Sequence, residues 1–287
     1  MTLPPPADAL AGEVDLHMHS TASDGSLPPA QVVRAAQAAR LSAIALTDHD
    51  TMAGVDEAIA EGEAAGVRVI RGVELSAHDG PNEIHLLALH VSNPEPIEAS
   101  LAVFRGSREL RAKSIVALLN KLGVGVTLES VMSEAAGGSV GRPHIARSMI
   151  RAGAVRDLRE AFDRYLAAGR PAYVPKERLE IRDAIALTHS AGAIAVWAHP
   201  GSDCHRAKLE PLVEMGLDGV EVRHPSHNTE DAKRIGALVE FFNLLPSGGS
   251  DWHGAPEGPR CIGCMHIPHE WLERQEAVAA RRLAEVA

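Results

Sequence analysis

Six short apolar runs in this 287-residue chain each carry or end on a histidine or a carboxylate, and that recurrence constrains the fold more than any other feature. GEVDLHMH reads as a strand on which His17 and His19, two positions apart, point to one face. Asp24 follows in the next loop, and His49 ends a second strand within LSAIALTDHD. Glu74 closes a third strand in GVRVIRGVEL, and His85 lies inside a fourth, EIHLLALHV. Late in the chain His199 ends GAIAVWAHPG, LDGVEVRHP reads as a further strand, and Asp251 and His253 complete NLLPSGGSDWHG. Seven strands separated by helical patterns predict an α/β fold, either a parallel barrel or a wound sheet. In such folds the carboxyl ends of the strands converge on one mouth. Imidazoles and carboxylates gathered there, with 15 His against only 3 Cys, predict a centre for hard or borderline metal ions.

The middle of the chain breaks this rhythm. From Glu98 onward it shows helical patterns and no convincing strand. The expected organisation is therefore a barrel domain over 13–97 and 186–287, with a helical insertion or cap over 98–185 between the fourth and fifth strands. Charge follows the same division: residues 105–185 hold 15 Lys or Arg against 9 Asp or Glu, and the remainder holds 13 against 29. A basic insertion on an acidic body suits an anionic substrate at a metal site, although Arg-rich helix faces turned to solvent would give the same imbalance. The net charge of −10 and the 3% aromatic content argue against a protein that coats duplex nucleic acid or an anionic membrane. No apolar run reaches the roughly 18 residues of a membrane span, and the first residues lack the pattern of a signal peptide. Three cysteines make no disulfide framework. The expectation is a cytoplasmic protein with no obligatory protein partner.

Taken together, DLHMHSTASDG, ALTDHD, GVELSA, the histidine of EIHLLAL, AHPG and GSDWHG resemble the PHP (polymerase and histidinol phosphatase) phosphoesterases over nearly the whole chain. SVGRPHIA and GRPAYVP are similar to the subgroup acting on nucleoside 3′,5′-bisphosphates and on the 5′ ends of short RNA. The resemblance implies a distorted (β/α)7 barrel carrying two or three divalent ions of Mn, Fe or Zn. By that likeness His17, His19, Glu74 and Asp251 hold one ion. Glu74 bridges to a second, held with His85 and His199, while Asp24, His49 and His253 hold a third. The residue chemistry is compatible, because a carboxylate can bridge two cations whereas a neutral imidazole gives one nitrogen to one. The expected reaction removes the 3′-phosphate of a nucleoside 3′,5′-bisphosphate, with 5′-to-3′ trimming of short 5′-phosphorylated RNA as a further activity. It would proceed by in-line attack of metal-bound hydroxide without a phosphoenzyme.

Substrate contacts are expected from the insertion and from the mouth. Ser139, Arg142 and His144 stand before an apolar helix whose first N–H groups, with the guanidinium, would clamp a phosphate. The same segment also fits a plain Gly-rich helix start. Arg170 and Lys176 either add positive charge to the site or lie on the surface. His227 in RHPSHN is placed to touch phosphate or protonate a leaving group, and His78, close to Glu74, is a further contact. Arg142, His144 and His227 are thus the expected catalytic groups. Asp15, Asp48 and Asp50 flank ligands and are expected to accept from their imidazoles. His90, His189, His205 and His224 are read as structural or exposed. Cys261 and Cys264, with His266 and His269 nearby, could form a separate zinc knuckle, although the histidine pair is spaced more closely than in a zinc finger.

Two other enzymatic readings use the same residues: a phosphatase of the histidinol-phosphate type and a C–N-cleaving amidohydrolase. Many amidohydrolases bridge their ions with a carbamylated lysine, and no lysine precedes Lys113 here, although Glu74 could take that place. A regulatory metal-binding module would need no phosphate clamp.

Overall fold

The computed structural model describes residues 13–135, 140–175, 178–254 and 260–286. The chain divides into two compact units: one comprises the residues up to Glu98 and those from Leu179 onward, the other runs from Ala99 to Arg178. The sequence-derived bounds of the insertion were 98 and 185.

In the first unit, buried apolar runs form β1 (Val14–Met18) and β2 (Ala43–Leu46), joined through α1 (Pro29–Ala38). Pro29 suits the first turn of α1, where its missing N–H has no partner to lose. α2 (Val55–Ala65) leads into β3 (Arg68–Asp79) and ends at Gly66, whose φ of 71° is the left-handed conformation that glycine adopts at no steric cost. β4 (Asn82–Leu89) pairs with β3 over its full length. Next come α3 (Glu95–Lys121), α4 (Leu128–Ala135), α5 (Arg142–Arg151) and α6 (Leu158–Ala161), the last continued by a π turn over Phe162–Leu166. The chain then forms β5 (Leu179–Glu180), α7 (Ile181–Ser190), β6 (Ile194–Trp197), α8 (Arg206–Glu214), β7 (Gly219–Arg223), α9 (Thr229–Phe241), β8 (Leu245–Gly248) and α10 (His269–Val286).

The sheet runs β1-β2-β3-β4-β6-β7-β8, with β5 paired to β3 at one side. A parallel bridge between Met18 and Trp252 brings the two ends together, supported by Asp251 N–H to His17 O at 2.9 Å and His19 N–H to Trp252 O at 3.0 Å. The result is a nearly closed seven-stranded barrel. Its apolar end packs Leu16, Ala45, Leu87, Leu89 and Val196 with Leu272 of α10. The second unit has a core of its own, with Ile115 and Leu119 of α3 against Val131, Ile145, Met149 and Leu166.

Three local expectations need correction. The barrel is not all parallel: β4 lies antiparallel to both β3 and β6. β3 and β4 form a hairpin turning at Gly80 (φ 58°), so no crossover helix separates them. Glu74 consequently sits in the middle of β3 rather than at its end. Finally, the segment read as free of strands contains the two-residue β5, which pairs with Ala77 and His78.

Candidate metal centre

The alternation of β1 delivers His17 and His19, both fully buried, to one end of the barrel. Nε2 of His17 and Nε2 of His19 lie 3.1 Å apart. Glu74 Oε2 stands 3.2 Å from the first and 3.3 Å from the second, and Asp251 Oδ1 stands 3.6 and 3.1 Å from them. Four donor atoms thus face a common point. The other oxygen of Glu74 is shared as closely: Oε1 is 2.8 Å from His85 Nδ1 and 2.9 Å from His199 Nε2, and those two nitrogens are 3.3 Å apart. His85 reaches this end because β4 runs antiparallel, so its start, rather than its carboxyl end, lies at the mouth. His49 places Nδ1 3.2 Å from Glu74 Oε2 and Nε2 3.9 Å from Asp24 Oδ2. Asp24 Oδ1 is 3.2 Å from His253 Nε2 and 3.8 Å from His19 Nδ1. All nine residues singled out as ligands therefore meet in one fused cluster.

The donor set fits divalent cations. Two imidazole nitrogens 3.1 Å apart between two carboxylates form a mixed N/O set suited to Mn, Fe or Zn. His19 Nδ1 is buried without a hydrogen-bond partner, and it faces the Asp24 group. The electrostatics agree. Against the opposing effect of burial, the surrounding imidazoles, His17 foremost, hold Glu74 well below the usual carboxylate range. A hydrogen bond from His253 brings Asp24 down to about 2. Against burial again, Glu74 and Glu83 raise His85 to about 10. The carboxylates are thus ionised at neutral pH, as ligands must be, and His85 would release its proton on taking up a cation. Backbone in the left-handed region occurs here as well, at His199 (φ 32°), Asp251 (φ 50°) and the neighbouring Asp50 (φ 50°).

The flanking groups behave differently from the sequence expectation. Asp15 accepts from the backbone N–H of Ser250 and Gly263, and Asp48 from Ser20 N–H and the hydroxyls of Ser20 and Ser23, so these two fix ligand-bearing loops rather than imidazoles. Asp50 accepts from Ser76 N–H. Imidazole orientation falls to residues that sequence reasoning missed. Fully buried Glu221 on β7 lies 3.1 Å from His17 Nδ1, and Glu83 lies 3.5 Å from His85 Nε2. His224, read as structural or exposed, is buried with Nε2 3.3 Å from Asp251 Oδ2. Arg260 adds a guanidinium 3.0 Å from the same oxygen and remains 46% exposed. A charge in the middle of the apolar strand GVEVR was a signal for Glu221; nothing in the sequence marked Arg260.

Substrate-contact expectations divide as well. His227 does not offer a free nitrogen: Nδ1 is 3.1 Å from Val222 O and Nε2 accepts from Gly201 N–H, so the ring braces a loop instead of facing substrate as an acid. His78 is buried, 3.7 Å from Glu83, one residue removed from the cluster. In the second unit, Arg142 donates to Leu166 O and stacks over Phe162 and Tyr173, while His144 Nδ1 accepts from Gly141 N–H at the start of α5. Arg170 is exposed, and its N–H donates to Ala167 O. Ser139 and Lys176 lie outside the described residues. His266 pairs with Glu13 and His269 with Ser42, so neither joins Cys261 and Cys264. Among the described residues no helix is long and apolar enough to cross a membrane.

Comparison with known proteins gives this cluster its context. The family model of the PHP domain matches residues 15–170, more than half of the chain. A 3′,5′-nucleoside bisphosphate phosphatase of Chromobacterium violaceum is 35% identical over 257 residues, covering 87% of this chain and 90% of its own. A 5′-3′ exoribonuclease of Haemophilus influenzae is 36% identical over 245 residues, covering 83% and 89%. A solved structure from Bifidobacterium adolescentis, described as a metal-dependent phosphoesterase, superposes with a TM-score of 0.72 at 30% identity, covering 92% of this chain and 96% of its own. With relatives of this closeness and a buried set of His, Asp and Glu donors at one end of the barrel, the chain belongs to the PHP family and is a metal-dependent phosphoester hydrolase.

Proposed function

We propose that this enzyme removes the 3′-phosphate of nucleoside 3′,5′-bisphosphates and also trims short 5′-phosphorylated RNA from its 5′ end. The observation that carries the reading is the sharing of Glu74, whose two oxygens face separate groups of imidazoles 2.8 to 3.3 Å away. Such an arrangement suits adjacent cations on one phosphoryl group. In this reading His17, His19, Glu74 and Asp251 hold one ion, Glu74 with His85 and His199 a second, and Asp24, His49 and His253 a third, the metals being Mn, Fe or Zn. Bound there, divalent cations would lower the pKa of water and neutralise charge on the phosphate oxygens.

The chain's own residues do the rest. Asp251 and Glu74 stay ionised as candidate ligands, while Glu221 and Glu83, on the far ring nitrogens of His17 and His85, keep those imidazoles oriented. Arg260, held at one end by Asp251, has donors left over for a non-bridging phosphate oxygen, the geometry in which charge-assisted bonds are strongest. Arg142, fixed by Leu166 O and two aromatic rings, and His144 are the anion-binding groups of the inserted unit. Support for the substrate class comes from the phosphatase and the exoribonuclease that this chain resembles over most of its length.

The test compares phosphate release by the Mn²⁺-loaded protein from adenosine 3′,5′-bisphosphate and histidinol phosphate, alongside mononucleotide release from a 5′-phosphorylated RNA oligomer. Turnover of the first and third is expected. Turnover of histidinol phosphate alone would replace this reading with the small-molecule phosphatase.

A further inference from the structure

Glu221 is a carboxylate with no exposure to solvent, and both of its oxygens are committed to residues of the candidate centre. Oε1 lies 3.1 Å from His17 Nδ1. Oε2 accepts the backbone N–H of His199 at 2.7 Å. These two histidines lie far apart in the sequence, and their rings face different oxygens of Glu74: His17 Nε2 faces Oε2, and His199 Nε2 faces Oε1. An isolated buried carboxylate costs several kcal/mol to desolvate, so one that is retained must be repaid by what it holds.

We infer that Glu221 is a positioning residue serving two metal ions at once, fixing the His17 ring through one oxygen and the His199 backbone through the other. The inference rests on the reading of His17 and His199 as ligands. A carboxylate oxygen only accepts, so Nδ1 of His17 keeps its proton against Glu221 and the nitrogen offered to a cation is Nε2, where His19, Glu74 and Asp251 converge. The second bond acts on the main chain. His199 sits at φ 32°, a conformation that a non-glycine residue holds only when its surroundings over-determine it. The Glu221 bond to its N–H is such a restraint. His17, Glu221 and His224 also lie close enough together to suggest a cation site of their own. The role of His17 argues against it, since a neutral imidazole has one lone pair and that pair faces the Glu74 side.

Glutamine at this position separates the two jobs from simple bulk. Glu221→Gln has nearly the same shape, but its amide presents a donor on one side. Either His17 Nδ1–H or His199 N–H then faces another N–H. The full chain and this variant are titrated with Mn²⁺, free metal being followed by electron paramagnetic resonance and the fold by circular dichroism. The expected result is a 10- to 100-fold weaker apparent affinity with an unchanged spectrum. Wild-type affinity in the variant would overturn the inference.

A second measurement needs no variant. In Zn²⁺-loaded protein carrying ¹⁵N-histidine, the His17 ring should show Nδ1–H protected from exchange and Nε2 as the metal-bound nitrogen. Zinc bound through Nδ1 would overturn the role of Glu221 while leaving His17 a ligand. No zinc-induced shift at either ring nitrogen would instead remove His17 from the ligand set.

Discussion

Gly249 follows β8 directly and packs against the backbone of β1, and its replacement by alanine tests how tightly the barrel sets the metal centre. A Cβ at this position would lie 2.5 Å from both the Cβ and the N of His17, and 2.9 Å from Asp15 Oδ1. Non-bonded carbons rest about 3.5–4.0 Å apart, so the deficit is about 1 Å. The two nearest obstructing atoms are a strand backbone nitrogen and a Cβ, which no rotamer change can move. The backbone at 249 does not adopt a positive φ, so conformation is no obstacle and contact alone decides. The strand must therefore give way, taking His17 with it. Overpacking of this kind costs about 1–3 kcal/mol of stability. A 1 Å displacement of a catalytic constellation costs on the order of 10²-fold in rate, about 2.7 kcal/mol of transition-state stabilisation. Gly249→Ala should therefore lower kcat/KM by about two orders of magnitude at saturating Mn²⁺. Gly236→Ala is the control: it lies within α9, its Cβ would meet only Val222 at an ordinary 3.7 Å, and it should be neutral or stabilising by up to about 1 kcal/mol. Phosphate-release kinetics and thermal unfolding are measured on both. Wild-type kcat/KM in Gly249→Ala would refute the claim that this contact sets the position of His17.

Arg260→Ala should raise KM for a phosphorylated substrate about 10- to 100-fold, the worth of a hydrogen bond to a charged group, while Mn²⁺ affinity stays near wild type. An unchanged KM would leave Arg260 only its ion pair with Asp251. Chelation should abolish activity, and Mn²⁺ restored at about 100 times its Kd should stabilise the fold by about 2.7 kcal/mol per occupied site, read as a rise in Tm; an unmoved Tm would speak against a built metal site. Burial pushes the His90 imidazole down to about 4, so the unfolded chain takes up this proton first as pH falls. Stability tied to this group is complete above about pH 6.5 and is lost between there and about pH 4, by up to roughly 3 kcal/mol. His90→Asn, which tolerates the local φ of 60°, should flatten urea-measured stability across that window, and an unchanged difference between pH 7 and pH 4.5 would contradict the shift.

The residues of the donor cluster were legible because strand patterning and functional chemistry coincide at strand ends. His17 and His19 are read as one face from a two-residue spacing, His199 directly follows an apolar run, and His49, Asp251 and His253 stand in the loops just beyond theirs. Glu74 and His85 were identified for a partly mistaken reason. A parallel strand would have put Glu74 at its end, whereas the structure places both residues on a hairpin whose second strand starts at the mouth and runs away from it. A run of apolar residues does not give strand direction, but its connection did: residues 76–82 are too few for a parallel crossover, which takes a dozen or more, so the short link itself called for a hairpin.

The sequence by itself determined the α/β class, the interruption by a helical insertion and the donor types of the metal centre, because hydrophobic period and residue chemistry are local properties. Tertiary structure alone decided which neighbours those donors would have. Asp15 and Asp48 look like imidazole partners along the chain, yet they bind backbone and serine groups, while Glu221, 204 positions from His17, takes that role. His227 looks free in sequence and is spent on Val222 and Gly201. A side chain's hydrogen-bonding capacity is intrinsic, but which partner uses it depends on closure of the barrel, and that brings together residues that no spacing rule connects.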